Sequence, residues 1–360
     1  MLGAPEPEWA GTEMASTIEI DAMQRALSLA TRAEAPTHPN PRVGAVVLDA
    51  AGSIVGEGFH RGAGTPHAEI EALRDAGPSA SGATVVVSLE PCNHSGRTEP
   101  CTASLLQAGV SRVVFAQTDP NPVAAGGAEV LRGAGLSVEG GVLSERAREL
   151  NPIWTLAMQR QRPFVTWKVA ATVDGRVAAS DGSSRWITGS SARAEVHALR
   201  AQVDAVVVGT GTVLEDDPQL TARDAEGQPI ERQPLRVVVG HRSIPASAKV
   251  NDDSAETLHL PSHEPTEVLE ELFARDVHHT LLEGGPTLAA AFVSAGAVDR
   301  VVGYTAPALL GDGASLLGPI GVASISDAVR FAFDDVSLVD GDLRWSGRLS
   351  DVPLFTEGAR

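Results

Sequence analysis

Thiols are scarce in this 360-residue chain, which has two cysteines, Cys92 and Cys101. Two cannot build a disulfide framework, and their rarity suits a reducing compartment, which points to the cytoplasm. Lysine is equally rare. Of 28 basic residues only Lys168 and Lys249 are lysines. No apolar run approaches the roughly 20 residues needed to span a bilayer. The N-terminus has neither the basic patch nor the apolar core of a signal peptide. Positive charge is also in deficit, with a net charge of −18 at pH 7. Phosphate backbones are bound by basic surfaces, so a nucleic-acid polymer is a poor partner for such a chain. A small anionic substrate can still meet a local cluster of arginines. The sequence is compatible with a homo-oligomer without specifying one.

At this length the expectation is two domains, each with its own core. Residues 1–15 carry prolines and glycines among polar residues and read as a disordered tail. Ser16-Thr17-Ile18-Glu19 has capping-box spacing and opens a helix whose apolar face is Ile20, Met23, Leu27 and Ala30. Val43–Leu48 and Ile54–Val55 read as a strand pair about Asp49 to Gly52. A helix over His67–Ala76, a strand over Thr84–Ser88, a helix over Cys101–Ala108 and a strand over Arg112–Ala116 follow. This alternation predicts a layered α/β sandwich. After a helix near Ser144–Leu150, the polar stretch Gln159–Pro163 marks the junction, giving domains at 16–160 and 163–360.

Both cysteines fall in one motif, His67-Ala68-Glu69 followed by Pro91-Cys92 and Pro100-Cys101. One imidazole and two thiols can hold a zinc ion and leave the fourth tetrahedral position open, the catalytic arrangement. Glu69, two residues after the histidine, is free to move protons. Zinc-dependent nucleobase deaminases combine the same parts. Pro66 and Pro100 suit first helical turns, so His67 and Cys101 are expected near helix N-termini, where the local field favours thiolate. A structural zinc site would need His94 as a fourth ligand.

The eight residues between the cysteines, Asn93 to Pro100, form a longer loop than most nucleobase deaminases have. The stretch Leu89 to Thr98, with Asn40-Pro41-Arg42-Val43-Gly44 and Asp119-Pro120-Asn121-Pro122, resembles the first domain of the bifunctional riboflavin-biosynthesis deaminase/reductase family. The resemblance covers nearly the whole chain from about residue 16. It implies a cytidine-deaminase-like α/β/α domain in which Asn40, His60 and Arg97 face the substrate. Glu99 departs from the family's usual second proline, which bears on loop stiffness rather than chemistry.

In the second half, Ala205–Val208 runs into Gly209-Thr210-Gly211-Thr212, and Thr280–Leu282 into Glu283-Gly284-Gly285-Pro286. Such turns let backbone N–H groups approach a phosphate at a helix N-terminus. Neither is a GxGxxG fingerprint, so a Rossmann domain is not indicated. With their neighbours Lys168–Gly175, Ser184–Thr188 and Thr212–Arg223, they resemble the reductase domain of the same family. That implies a dihydrofolate-reductase-like fold, NADPH as cofactor, and reduction of a ribosylamino group to ribitylamino. By position, Ala170, Trp186, Thr212 and Asp216 contact the cofactor, as do Gly285, Pro286, Thr287, Leu288, Ala289, Ala290 and Ala291. Ser184, Arg200, Leu220, Arg223 and Glu283 contact the substrate. The planar forks of Arg200 and Arg223 suit a sugar 5′-phosphate. The family commonly has an Asp near Gly240, which is absent here.

Lys168 lies inside the apolar run Phe164–Ala171, where burying an unpaired lysine is costly. In a chain that writes its cations as arginine in 26 of 28 cases, a retained lysine suggests a compact proton donor, with Asp216 as its partner. A lysine that packs its stem and snorkels is the plainer reading. His278-His279 precede a strand and have no partners at ligand spacing, while the Asp252-Asp253 pair and the acidic stretch Glu264–Glu271 read as solvated surface. The whole implies a cytoplasmic enzyme that deaminates and then reduces a phosphorylated pyrimidine, using zinc and NADPH. Two alternatives are a stand-alone nucleobase deaminase with a non-catalytic nucleotide-binding second domain, and a nucleotide-sensing scaffold.

Overall fold

This computed structural model describes residues 14–33, 37, 39–94 and 99–349. Arg97, and all of the expected tail except Met14 and Ala15, lie outside the described residues. The chain divides into two compact units, the first running to Gln159 and the second starting at Arg160.

In the first unit, α1 (Thr17–Ala30) begins at the capping box. The Ser16 hydroxyl accepts from the Glu19 N–H, and the Glu19 carboxylate accepts from the Ser16 N–H at 2.8 Å. Met23, Ala26, Leu27 and Ala30 are its buried face. β1 (Gly44–Leu48) and β2 (Ile54–Phe59) pair antiparallel about the expected turn. There follow α2 (Ala68–Ala76), β3 (Thr84–Leu89), α3 (Cys101–Gln107), β4 (Arg112–Gln117), α4 (Gly127–Gly133), β5 (Ser137–Glu139), α5 (Ser144–Leu150) and α6 (Pro152–Arg160). The sheet order is β2-β1-β3-β4-β5, and β3, β4 and β5 run parallel. Gly44 pairs with Phe59 and Ala45 with Gly58, so the two glycines face opposite sides of the sheet. A Cβ on Gly44 would meet the Ala26 carbonyl of α1 at 2.1 Å, and one on Gly58 the Ala68 carbonyl of α2 at 2.4 Å. The two helices therefore cover opposite faces, which makes this unit a three-layer α/β/α sandwich.

The second unit contains β6 (Phe164–Thr172), α7 (Ser190–Ala201), β7 (Ala205–Gly209), α8 (Thr210–Asp216), β8 (Leu235–Val239), β9 (Thr257–Leu260), α9 (Pro265–Phe273), β10 (His279–Leu282), α10 (Pro286–Ser294), β11 (Arg300–Ala306), β12 (Ala332–Val339) and β13 (Asp342–Arg348). They form one eight-stranded sheet, ordered β12-β13-β11-β6-β10-β7-β8-β9. Its central strands are parallel, and β12 and β13 are antiparallel additions. Valine-rich β7 and β8 are buried on both faces, as a parallel strand between helices requires. The edge strand β12 instead leaves Phe333, Val336 and Leu338 exposed.

Two readings of the sequence need correction here. The acidic stretch Glu264–Glu271 is mostly the amphipathic helix α9, which buries Val268, Leu269 and Leu272 while its acids face outward. Asp252 is not simply solvated surface, because it binds the guanidinium of Arg236. The adjacent histidines are part of the fold: His278 and His279 are buried, and both backbone N–H groups donate to Asp204 at 2.9 Å.

Candidate functional site

In the first unit, β3 and two helix starts converge on His67, Cys92 and Cys101, whose ligand atoms all lie within 4.8 Å of one another. His67 is the N-cap of α2 and Cys101 the first residue of α3. Pro66 and Pro100 stand just outside these helices rather than in their first turns. Cys92 sits in the loop three residues past β3. His67 Nδ1 is 3.2 Å from Cys101 Sγ and 3.6 Å from Cys92 Sγ. Bonds of about 2.3 Å to sulfur and 2.0–2.1 Å to nitrogen at tetrahedral angles put such atoms roughly 3.6 Å apart. The donor set therefore fits zinc, and His94 stands outside it among the described residues.

Charge is matched to that use. Hydrogen bonding from Cys101 and His67 pushes the Cys92 thiol down to about 4, whereas Cys101, buried beside it, is pushed up. A divalent cation relieves this conflict, since a coordinating thiol is deprotonated outright. Glu69, in the first turn of α2, is buried, and burial raises its carboxyl above the usual range. His60 is buried against the His67 ring, 5.4 Å between centroids and edge-on. His60 Nδ1 is 3.1 Å from the Pro66 carbonyl and Nε2 is 3.0 Å from Asn40 Nδ2. The carbonyl can only accept and the amide nitrogen only donate, so the ring is the neutral Nδ1–H tautomer. Asn40, His60 and His67 thus form one string.

Glu90 was not singled out from the sequence. Its buried carboxylate accepts from the Asp119 N–H at 3.1 Å and the Ala128 N–H at 3.0 Å, fixing the loop that precedes Cys92. A Cβ on Gly127 would lie 1.8 Å from the Pro91 carbonyl, so that contact requires glycine. Burial pushes Asp119 up to about 7. The available signal was an acid closing the apolar run Val85–Leu89.

In the second unit the candidate residues collect at the carboxyl ends of parallel strands, where open α/β sheets bind ligands. β7 and β10 are paired, so their glycine turns lie side by side, with Leu288 about 4 Å from a Cβ built on Gly209. Thr212 and Asp216 are on α8, and Gly285 caps α10 with Pro286 at its first position. Thr287 and Leu288 complete that turn. Ala289 and Ala290 face the core, and the Ala289 N–H donates to the Gly285 carbonyl. Ala291 is half-buried on α10, as is Ala170 on β6. Ser184 and Trp186 lie in the loop before α7, where the exposed indole stacks under Arg193 at 4.2 Å. Leu220 is buried with φ +58°. Gly240, at φ +128°, has no room for a side chain, since a Cβ would meet Thr210 Oγ1 at 2.8 Å.

The expected Lys168–Asp216 ion pair is not formed. Asp216 instead has Arg185 nearby, at 3.9 Å. The register pairs Trp167 with Leu282, so the next residues, Lys168 in mid-β6 and Glu283 just past the end of β10, are neighbours. Burial lowers the Lys168 ammonium, Glu283 opposes that shift, and Arg200 adds to it. Burial also works against ionisation of Glu283, but Arg200 outweighs it and holds the carboxyl below the usual range. Arg200 is correspondingly committed: Nε and Nη2 donate to the Glu283 carboxylate at 2.6 and 2.9 Å, and Nη1 to the Thr221 carbonyl at 3.2 Å. Its fork holds a protein carboxylate rather than standing open for a phosphate. Arg223, half-buried, donates to the Gln219 side chain at 2.5 Å and the Gly227 carbonyl at 2.8 Å.

Residues 163–343 match the family model of the RibD C-terminal domain, and residues 16–117 that of the cytidine and deoxycytidylate deaminase zinc-binding region. The riboflavin biosynthesis protein RibD of Mycobacterium tuberculosis is 50% identical over 325 residues, covering 90% of this chain and 95% of that protein. The solved structure of Acinetobacter baumannii RibD superposes with a TM-score of 0.81 at 38% identity, covering 92% of this chain and 98% of that one. A Thermotoga maritima structure described as a diaminohydroxyphosphoribosylaminopyrimidine deaminase/5-amino-6-(5-phosphoribosylamino)uracil reductase gives 0.75 at 34% identity, with the same coverage. These likenesses run through both halves, so the second unit has the dihydrofolate-reductase-like fold of the RibD reductases. The chain belongs to the RibD family of riboflavin-biosynthesis proteins.

Proposed function

We propose that this chain is a bifunctional enzyme of riboflavin biosynthesis. Its first domain deaminates 2,5-diamino-6-ribosylamino-4(3H)-pyrimidinone 5′-phosphate, and its second reduces the ribosyl group of the product to ribityl with NADPH. The observation that carries this reading is the three-ligand group of His67, Cys92 and Cys101 beside the buried, non-ligand Glu69. Bound zinc supplies Lewis acidity for activating water. Glu69, its carboxyl raised by burial, holds and returns the proton as the amine leaves. Asn40, held by the neutral His60, faces the pyrimidine, with Arg97 as a further contact.

In the reductase, NADPH supplies the hydride. The turn from Gly285 to Leu288 and α8, with Thr212 and Asp216, cradle the cofactor together with Ala170 and Trp186. Lys168 donates the accompanying proton, and Glu283, Ser184, Leu220 and Arg223 hold the substrate. Arg200 acts through Glu283. A deaminase joined to a non-catalytic binding module is disfavoured, because the second half matches the RibD C-terminal domain over 163–343. The discriminating experiment follows the pyrimidine by mass. Loss of the amine without NADPH, and a gain of two hydrogens only with it, supports the proposal. No mass change with zinc and NADPH both present would sink it.

The acidic net charge speaks against a nucleic-acid partner, and thiols kept as metal ligands suit the reducing cytoplasm. No helix among the described residues is long and apolar enough to cross a membrane. Homo-oligomerisation is supported by the exposed apolar side chains of β12, which is an edge strand among the described residues and suits another copy of the strand. Light scattering on the wild type and on Val336→Lys/Leu338→Lys tests this. A monomeric wild type, or an unchanged oligomer in the variant, removes the suggestion.

A further inference from the structure

Arg236 is the one arginine among the largest fully buried side chains, and it stands on β8 among valines, where an unpaired charge is not tolerated. Its Nη1 donates to Asp252 Oδ1 at 2.7 Å and its Nη2 to the Asp252 carbonyl at 2.6 Å; Nη2 also donates to the Ala255 carbonyl. The other oxygen of Asp252 accepts from Gln219 Nε2 at 2.6 Å. Gln219 Oε1 in turn accepts from Arg223 Nη2 at 2.5 Å. The result is a continuous line from a buried guanidinium to a half-exposed one, passing through one carboxylate and one amide.

Each link in the line has only one workable polarity. Arginine can only donate and carboxylate can only accept, so the Gln219 amide must present its nitrogen to Asp252 and its oxygen to Arg223. Ser254, Arg236 and Gln219 together hold the Asp252 carboxyl well below the usual range, so it remains an acceptor. A second tie fastens the same two segments: the Lys249 N–H donates to Asp217 at 2.8 Å, and its ammonium lies 3.3 Å from that carboxylate. Residues 217–223 therefore cannot drift relative to 249–254 without breaking charged contacts.

We propose that Gln219 and Asp252 are positioning residues that fix the guanidinium plane of Arg223 for the phosphate of the reductase substrate, with Arg236 as their buried anchor. This rests on the reading of Arg223 given above. An exposed arginine loses rotamer freedom when it grips a ligand, and holding it beforehand removes that loss from the binding step. Two donated bonds to Gln219 and Gly227 set the orientation while leaving other N–H groups of the fork for an anion.

The test measures the reductase step of the full chain on the deaminated substrate with and without its 5′-phosphate. Arg223→Ala should lower the preference in kcat/KM for the phosphorylated form about a hundredfold. Gln219→Ala and Asp252→Asn should each lower that preference about tenfold, mainly through KM. General loosening of the fold would reduce both substrates alike and leave the ratio in place. If Arg223→Ala leaves the ratio unchanged, the phosphate role of Arg223 fails. If Arg223→Ala collapses the ratio and the other two variants keep it, the positioning role is overturned. Should Asp252→Asn fail to fold, as judged by circular dichroism, Gln219→Ala alone decides, because its side chain is not the partner of the buried charge.

Discussion

The two candidate sites draw on the sequence in different ways. The metal site takes its ligands from His67, Cys92 and Cys101, within 35 residues, each at or near the end of a local element. The reductase site draws on Lys168, Arg200, Asp216, Arg223 and Glu283, spread over more than a hundred residues and brought together by parallel strand pairing and by the Arg200–Glu283 ion pair. In the first, residue type and spacing nearly define the chemistry. In the second, the register of β6 against β10 decides which charges are neighbours, and it puts Lys168 in the field of Glu283 rather than of Asp216.

The sharpest way to break the comparison is Glu69→Gln. It should keep zinc, measured by elemental analysis, while deamination falls by roughly 10²–10⁴-fold. Reduction of pre-deaminated substrate should continue. By contrast, Cys92→Ala or Cys101→Ala should lose both metal and deamination. Near-normal deamination by Glu69→Gln would remove that residue from the mechanism.

The next largest effect is expected at Lys168. Lys168→Arg adds a planar fork where a compact ammonium sits, so reduction should fall about 10²-fold, nearly as far as in Lys168→Ala. Activity within a few-fold of wild type would assign Lys168 to packing. The proton donor must be protonated, and burial has lowered its ammonium below the ordinary range. The reductase rate should therefore decline with rising pH earlier than an unperturbed lysine near 10.4 would allow. Glu283→Gln should shift that decline, and Asp216→Asn should not. The opposite pattern would restore Asp216 as the partner.

Separate expression of residues 1–160 and 163–360 tests whether the sites are as independent as their construction suggests. Each half should fold and keep at least part of its own activity. A protease-resistant core spanning residues 155–170 would count against that boundary.

The smallest effect concerns the first unit alone. Ser16→Ala removes the cap of α1 and should cost about 1 kcal/mol, lowering the first unit's thermal transition and sparing the second's. Burial opposes ionisation of Glu19, but Arg112 at 2.6 Å and the Ser16 N–H outweigh it and hold its carboxyl below the usual range. Its contribution is therefore present above the unfolded value of about 4.3 and lost as pH falls through the lower folded value. Glu19→Gln should flatten that acid limb. An unchanged limb would mean that the pair adds nothing to stability.

Residues that act through local geometry could be read in order along the chain. The capping box, the turn at Asp49–Gly52 and the helix at Ala68 each depend on neighbours a few residues away, so composition and period were enough, while the His-Glu-Cys-Cys set, spread from 67 to 101, was legible because few chemistries combine those residue types. The family resemblance extended that reading to the reductase segments. It did not reveal that Arg200 is taken up by Glu283, that Glu90 pins the loop before Cys92, or that Asp252 answers a buried arginine. Those contacts join residues 16 to 83 positions apart. No periodicity marks a carboxylate for a distant guanidinium. Only the folded sheet, by bringing the charges into a region where an unpaired one is too costly to keep, determines which of them pair.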